Sequence, residues 1–259
     1  MLKLAVRNLG GALHRGNRYR HRAVQAESLA DVIATGAHVL LLQEVTGIGQ
    51  PFEVPPGWRF RQPLSKAEQG AASVVVAADG IAIDLSWRPE HPVLDAFGAY
   101  LDFGLLHDAD GDIALVSVHA TSWRPELWAA TGIGPSMPHG HFRPWPSDVI
   151  LDFLLEVLED RPAVLAGDWN EDLDYPGPGD PEAAAFRQRA ATAGFVEAVS
   201  TSFKGKVRTN FMPQTKNQYQ NDQVFLSAGL AARLRSVSIW CEPDARLSDH
   251  AGITVTLGP

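Results

Sequence analysis

Val39-Leu40-Leu41-Leu42-Gln43-Glu44 sets four consecutive apolar residues directly before an amide and a carboxylate. Such a run suits a strand covered on both faces, since a strand with one wet face alternates apolar and polar residues. A layered α/β arrangement is therefore expected, rather than an open sheet. Upstream, Ala26, Leu29, Ala30 and Ile33 recur at helical spacing and the segment stops at Gly36, so a helix feeds the strand. Further upstream, Leu2, Leu4 and Val6 alternate with Lys3, Ala5 and Arg7. That is the period of a half-buried strand, and it ends at Asn8 just before Gly10-Gly11.

The same grammar returns in the second half. Ser147 can cap a helix whose apolar stripe is Ile150, Leu151, Leu154, Leu155 and Leu158, and Ala163-Val164-Leu165-Ala166 then delivers Gly167-Asp168-Trp169-Asn170. Two halves that both run strand, helix, strand, acid suggest internal pseudo-symmetry. Between them, Ser73 to Ala77, Ile81 to Trp87, Tyr100 to Leu106 and Ile113 to Val118 read as strands, with His119 ending the last. Downstream come a helix from about Pro181 to Ala193, a short apolar stretch from Phe195 to Val199, and a basic, amide-rich loop to Asn221. Strands over Val224 to Leu226, Leu234 to Trp240 and Ile253 to Leu257 close the chain, with Ser248-Asp249-His250 just before the last.

At 259 residues and 28.1 kDa the chain is at the upper end for one domain, and no Pro/Ser-rich linker divides it. Its 45% apolar and 20% charged residues are ordinary for a globular protein. Cys241 is the only cysteine, which excludes an intramolecular disulfide framework and a thiolate zinc site. The N-terminal apolar stretch is too short for a signal-peptide core, and no run approaches membrane-spanning length, so a cytoplasmic location without membrane partners is expected. The net charge of -8 argues against a protein that coats nucleic acid. Charge is uneven, however: no acid precedes Glu27, while Lys3, Arg7, Arg15, Arg18, Arg20 and Arg22 are basic. A second acid-free stretch, 198–221, carries Lys204, Lys206, Arg208 and Lys216.

Polar residues just past buried strands converge at one edge of a sheet, because neighbouring strands end there together. Asn8, Glu44, His119, Asp168, Asn170 and Asp222 all occupy such positions. Asp, Glu, Asn and His, with no Ser or Cys nucleophile beside a base, suit a hard cation with oxygen ligands and an activated water. The chemistry this favours is hydrolysis of an anionic ester.

Leu42-Gln43-Glu44, Ser117-Val118-His119, Gly167-Asp168-Trp169-Asn170, Asn221-Asp222-Gln223-Val224-Phe225 and Ser248-Asp249-His250, in this order and with Asn8 near the start, resemble the signatures of the endonuclease/exonuclease/phosphatase, or deoxyribonuclease I-like, family. The resemblance implies a four-layer sandwich of two packed mixed β-sheets flanked by helices, formed by one catalytic domain over 1–259 with a Trp/His/Pro-rich insertion at about 121–146. It implies a Mg²⁺ or Mn²⁺ site with Glu44 as principal ligand and Asn8 and Asp249 in support. Asp168 and Asn170 match the pair that handles the water and the phosphate. His250 matches the phosphate-contacting histidine, fixed by Asp222. His119 resembles the second histidine of the deoxyribonuclease-like branch, where it can protonate the leaving oxygen.

Substrate determinants lie outside these motifs. Arg15, Arg18 and Arg22 can hold phosphates beside the scissile one, or simply be solvated; the same holds for Lys204 and Arg208. Asn210, Gln214, Asn217, Gln218 and Gln220 can bond bases or sugars, or provide ordinary loop polarity. Trp123, Arg124, Trp128, His139, His141, Arg143 and Trp145 in the insertion can stack unpaired bases or pack on themselves. The favoured expectation is a metal-dependent nuclease or phosphodiesterase acting on DNA, RNA or nucleotides, with no obligate protein partner. A phosphatase of a small phosphorylated metabolite and an inactive binding module of the same fold are the alternatives.

Overall fold

The two leading apolar runs form strands buried on both faces, β1 (Leu2–Asn8) and β2 (Val39–Gln43), joined through α1 (Arg22–Ala34). They pair in parallel from Leu4↔Val39 to Asn8↔Gln43. The computed structural model describes residues 1–10, 22–45, 52–62, 72–120, 145–172, 181–211, 219–240 and 247–259. Arg15, Arg18, Cys241 and the insertion from 121 to 144 lie outside these residues.

Along the chain follow β3 (Trp58–Phe60), β4 (Val74–Ala78), β5 (Ile83–Asp84), α2 (Val93–Phe97), β6 (Leu101–Asp108), β7 (Gly111–His119), α3 (Pro146–Leu158) and β8 (Ala163–Asp168). The remainder is α4 (Pro181–Thr192), β9 (Phe195–Glu197), α5 (Ala198–Phe203), β10 (Asp222–Ser227), α6 (Ala228–Ala232), β11 (Leu234–Trp240) and β12 (Gly252–Leu257). These strands form two mixed six-stranded sheets, in the orders β11-β12-β1-β2-β4-β3 and β5-β6-β7-β8-β10-β9. The orders correspond strand for strand: β7 and β8 are parallel, like β1 and β2, and each parallel pair is flanked by antiparallel neighbours. The pseudo-symmetry read in the sequence is thus a symmetry of topology.

Burial alternates as two-sided strands require. Leu4, Val6, Val39, Leu41, Val164, Ala166, Val224 and Val255 fill the space between the sheets. Their neighbours Ala5, Leu40, Leu42, Val74 and Val76 pack outward with Leu29 and Val32 of α1. On the other side, Val116, Val118, Leu165 and Phe225 pack outward with Ile150 and Leu154 of α3 and Phe186 of α4. The result is the four-layer sandwich, helix on sheet on sheet on helix. Among the described residues no helix is long and apolar enough to cross a membrane.

The structure departs from the sequence expectation in places. The strand expected from Ile81 to Trp87 shrinks to two residues, because the Asp84 carboxylate accepts from the Ser86 backbone N–H (2.7 Å) and hydroxyl (2.6 Å), closing a turn. Ser147 does not cap α3. Its hydroxyl donates to Glu171 at 3.0 Å, while Asp148 accepts from the Trp145 N–H at 2.7 Å ahead of a proline at the helix start. β3, α2, α5 and α6 are three to six residues long, too short for a periodic signal.

Candidate active site

Register brings the polar strand ends together. Asn8 pairs with Gln43, His119 with Asp168, and Asp168 in turn with Asp222, the first residue of β10. The two sheet edges are joined beneath the site: the Ser117 hydroxyl donates to Leu42 O at 2.9 Å, and Gln43 Nε2 donates to the Ser117 oxygen at 2.8 Å. Directly above, Asn8 Nδ2 donates to Asp168 Oδ2 at 3.0 Å and to Glu44 Oε1 at 3.1 Å. Six of the residues read from the sequence, Asn8, Glu44, His119, Asp168, Asp222 and His250, therefore meet in one buried cluster.

Asn8 does two things at once. Its Oδ1 accepts the Gly10 N–H at 2.8 Å, the turn the sequence suggests, and this fixes the amide so that Nδ2 faces the carboxylates. As it stands Asn8 offers the site an N–H donor and not a ligand oxygen. Glu44 and Asn170 both adopt left-handed backbone (φ 53° and 48°), which costs an ordinary residue on the order of 1 kcal/mol each. At both positions hydrogen bonds hold the turn. Gln25 of α1 donates to Glu44 O at 2.9 Å, while Asn170 donates its N–H to Asp168 Oδ1 (3.0 Å) and its side-chain Nδ2 to Ala120 O (2.8 Å).

On the far side of Asp168, the His250 imidazole presents Nδ1 to Asp222 (2.9 and 3.1 Å) and Nε2 to the Asn210 amide (3.0 Å). His250 Nε2 also lies 3.8 Å from Asp168 Oδ2. Burial disfavours the imidazolium, but Asp222, Asp168 and Asp249 together outweigh it and hold His250 well above the ordinary imidazole range. Burial, reinforced by Asp222, pushes the Asp168 carboxyl upward against the opposing pull of His250 and His119. The two groups sit 3.8 Å apart, so Asp168 when ionised can accept a proton beside an imidazolium that can donate one.

Several functional contacts escape the sequence reading. Asn210, read only as a possible base contact, is buried against His250. Ser248 donates to Asn8 O at 2.6 Å and accepts from the His250 N–H at 3.0 Å, tying the last motif to the first strand. Thr209 accepts the Asp222 N–H at 3.0 Å. Only Ser248 carries a local signal, a hydroxyl two residues before a histidine whose N–H it can take.

The basic residues scatter. Arg7 is fully buried with its guanidinium 4.6 Å from the Trp240 ring centre, so it supplies no open positive ground. Arg22 forms an exposed ion pair with Glu53, and Lys206 pairs with Asp172 at 2.7 Å. Lys204 is an exposed C-cap of α5. Among the basic residues the structure describes, Arg208 adjoins the cluster, donating through Nε to Asn210 O at 3.1 Å. Asp249 lies outside both ligand groups and bears on the site through its charge on His250.

Two sets of side chains can hold a metal ion, Glu44 with His119 and Asp168, and Asp168 with Asp222 and His250; within each, the ligand atoms lie within 4.8 Å of one another. The donor set fits a cation, since buried carboxylates packed this closely leave negative charge uncompensated. This order of residues, on this fold, matches the endonuclease/exonuclease/phosphatase family over residues 8–250. The chain belongs to that family. It is a phosphoester hydrolase, the chemistry common to the family's three named activities. Comparison with curated proteins finds no match. Among solved structures, an abasic-site (AP) endonuclease from Leishmania major superposes with TM-score 0.70 at 15% identity, covering 100% of this chain and 88% of the other. An AP endonuclease from Archaeoglobus fulgidus gives 0.61 at 13%, covering 99% of each chain. The Neisseria 3′ phosphatase NExo, bound to a product DNA hairpin, gives 0.60 at 14% over 100% of each. At these identities the likeness is one of fold.

Proposed function

We propose that this hydrolase cleaves phosphodiester bonds of nucleic acid or nucleotides by in-line attack of water, with Mg²⁺ or Mn²⁺ bound at Glu44 and Asp168. The observation that carries the reading is the placement of Asp168, buried between a cation-holding group on one side and the Asp222–His250 pair on the other. When bound, a divalent cation there supplies positive charge against the phosphoryl oxygens and lowers the pKa of water.

The chain's own residues divide the remaining work. His250, charged and oriented by Asp222 through Nδ1, offers its Nε2–H to a phosphate oxygen once the substrate displaces the Asn210 contact, where negative charge builds as the bond to phosphorus forms. Asp168 accepts the proton of the attacking water, with Asn8 and Asn170 holding its two oxygens in place, while the P–O bond opposite the water breaks and the leaving oxygen takes a proton from solvent. Asn170, half-buried and anchored on Ala120 O, is proposed to position the attacking water through its amide oxygen.

A nucleic-acid substrate is supported by the fold neighbours, two AP endonucleases and a 3′ phosphatase crystallised with DNA, and by Arg208 beside the cluster. Arg208, with Arg15 and Arg18 of the acid-free N-terminal stretch, is proposed to meet flanking phosphates. The test is turnover, with Mg²⁺ or Mn²⁺, of plasmid DNA, single-stranded DNA, RNA, DNA containing an abasic site, and a panel of phosphomonoesters. Cleavage of a polynucleotide that is lost in Asp168→Asn supports the reading. Turnover of small monoesters alone refutes it in favour of a metabolite phosphatase.

A further inference from the structure

We propose that His119 is a nitrogen ligand of the catalytic cation, which makes this centre selective for Mn²⁺ and its softer neighbours over Mg²⁺. The inference rests on the metal reading above and adds a ligand and a metal preference to it.

Two imidazoles flank Asp168. Both ring nitrogens of His250 are engaged, Nδ1 with Asp222 at 2.9 Å and Nε2 with Asn210 at 3.0 Å, so ligation by His250 would break one of these bonds. His119 points Nε2 at the two carboxylate oxygens that Asn8 also grips, 3.5 Å from Glu44 Oε1 and 3.8 Å from Asp168 Oδ2. These separations are long for hydrogen bonds. They suit atoms sharing one ion, because ligands about 2.1 Å from a common metal stand roughly 3 Å apart when adjacent and about 4.2 Å when opposite.

The ring is also held for this task. His119 is buried at the end of β7, its backbone N–H bonds Tyr100 O at 2.8 Å, and the Tyr100 ring meets the imidazole edge-on at 6.0 Å and 72°. Asn8, its amide locked by Gly10, presents an N–H to the same oxygens. The Lewis bases converging on the centre are therefore two carboxylates and one imidazole. Mg²⁺ prefers an all-oxygen shell with several waters, whereas an imidazole nitrogen favours Mn²⁺, Co²⁺ and Zn²⁺.

The test is pulsed EPR on the Mn²⁺-loaded protein, which detects the ¹⁴N of a bound imidazole, joined to calorimetric titration with Mn²⁺ and Mg²⁺. Wild type and His250→Gln are expected to show the nitrogen coupling, and His119→Gln or His119→Asn to lose it while still binding Mn²⁺. In the His119 variants Mn²⁺ affinity is expected to fall by about tenfold or more, and Mg²⁺ affinity by less than about threefold. Mn²⁺ that binds wild type, is lost in Glu44→Gln, and shows no nitrogen coupling overturns this inference and leaves the metal reading intact. Coupling that disappears in His250→Gln and persists in the His119 variants overturns it too. Failure of wild type to bind either cation overturns both.

Discussion

Opposing demands meet at Asp168. Burial favours the neutral acid, two nearby imidazoles favour the anion, and Asn8 and Asn170 donate to its two oxygens. Asn at this position can still accept through its oxygen but cannot take a proton. Asp168→Asn is expected to lower kcat by roughly a hundred- to ten-thousand-fold with an unchanged circular dichroism spectrum; retention of more than a tenth of the wild-type rate would show that the proton goes elsewhere. The pH profile follows from the same pair. In the metal-free protein Asp168 takes up its proton at a pH above the ordinary carboxylate range; a cation bound at its oxygens opposes that rise, so the acid limb should move to lower pH as metal is added. As pH rises, activity persists until His250 loses its proton, well above the ordinary imidazole range, so kcat/KM should form a broad plateau across neutrality. His250→Gln should lower the plateau and remove its alkaline limb; a limb that stays put would assign that titration to another group. Asn8 shows how far single residues were legible: its turn into Gly10 was readable locally, its hold on Asp168, 160 positions away, was not.

Among the elements, β8 is held tightly at one position. Gly167 sits in it with φ +147°, and a Cβ there would come within 2.0 Å of Val118 O and 2.9 Å of Gln43 Nε2. The glycine lets β7 and β8 close in parallel directly below His119 and Asp168. Gly167→Ala is expected to cost about 2–4 kcal/mol in urea unfolding and to reduce activity, since its backbone carries Asp168; a loss below about 0.5 kcal/mol would mean that the strands relax without harm. The long elements were readable because four consecutive buried apolar residues, or a helical stripe, leave a periodic signature. α5 and α6 leave none, and the Asp84 turn that cuts β5 short depends on a side-chain contact that periodicity does not encode.

For the molecule as a whole, the cluster is a place where function works against stability. Buried carboxylates without a cation repel one another and raise the free energy of the folded state. Adding Mn²⁺ at a hundred times its dissociation constant should stabilise the protein by about 2.7 kcal/mol, read as a rise in Tm that EDTA reverses. Glu44→Gln should show little of that rise, and an equal rise in the variant would place the cation elsewhere. The two sheets also explain why the site is single although the topology is doubled: the parallel pairs β1–β2 and β7–β8 each end in polar residues, and both ends open on one edge.

The sequence alone determined the layering, the order of the main strands, and the residue types that gather at their ends, because each is written in local periodicity and in short motifs. Membership of a metal-dependent hydrolytic family was visible in the same motifs. Tertiary structure alone decided the rest: that Arg7 packs under Trp240 and leaves the positive surface, that Asn210 closes on His250, and that His119 faces Glu44 and Asp168. These contacts join residues tens of positions apart across two sheets, and the register and packing that set them depend on the whole core at once.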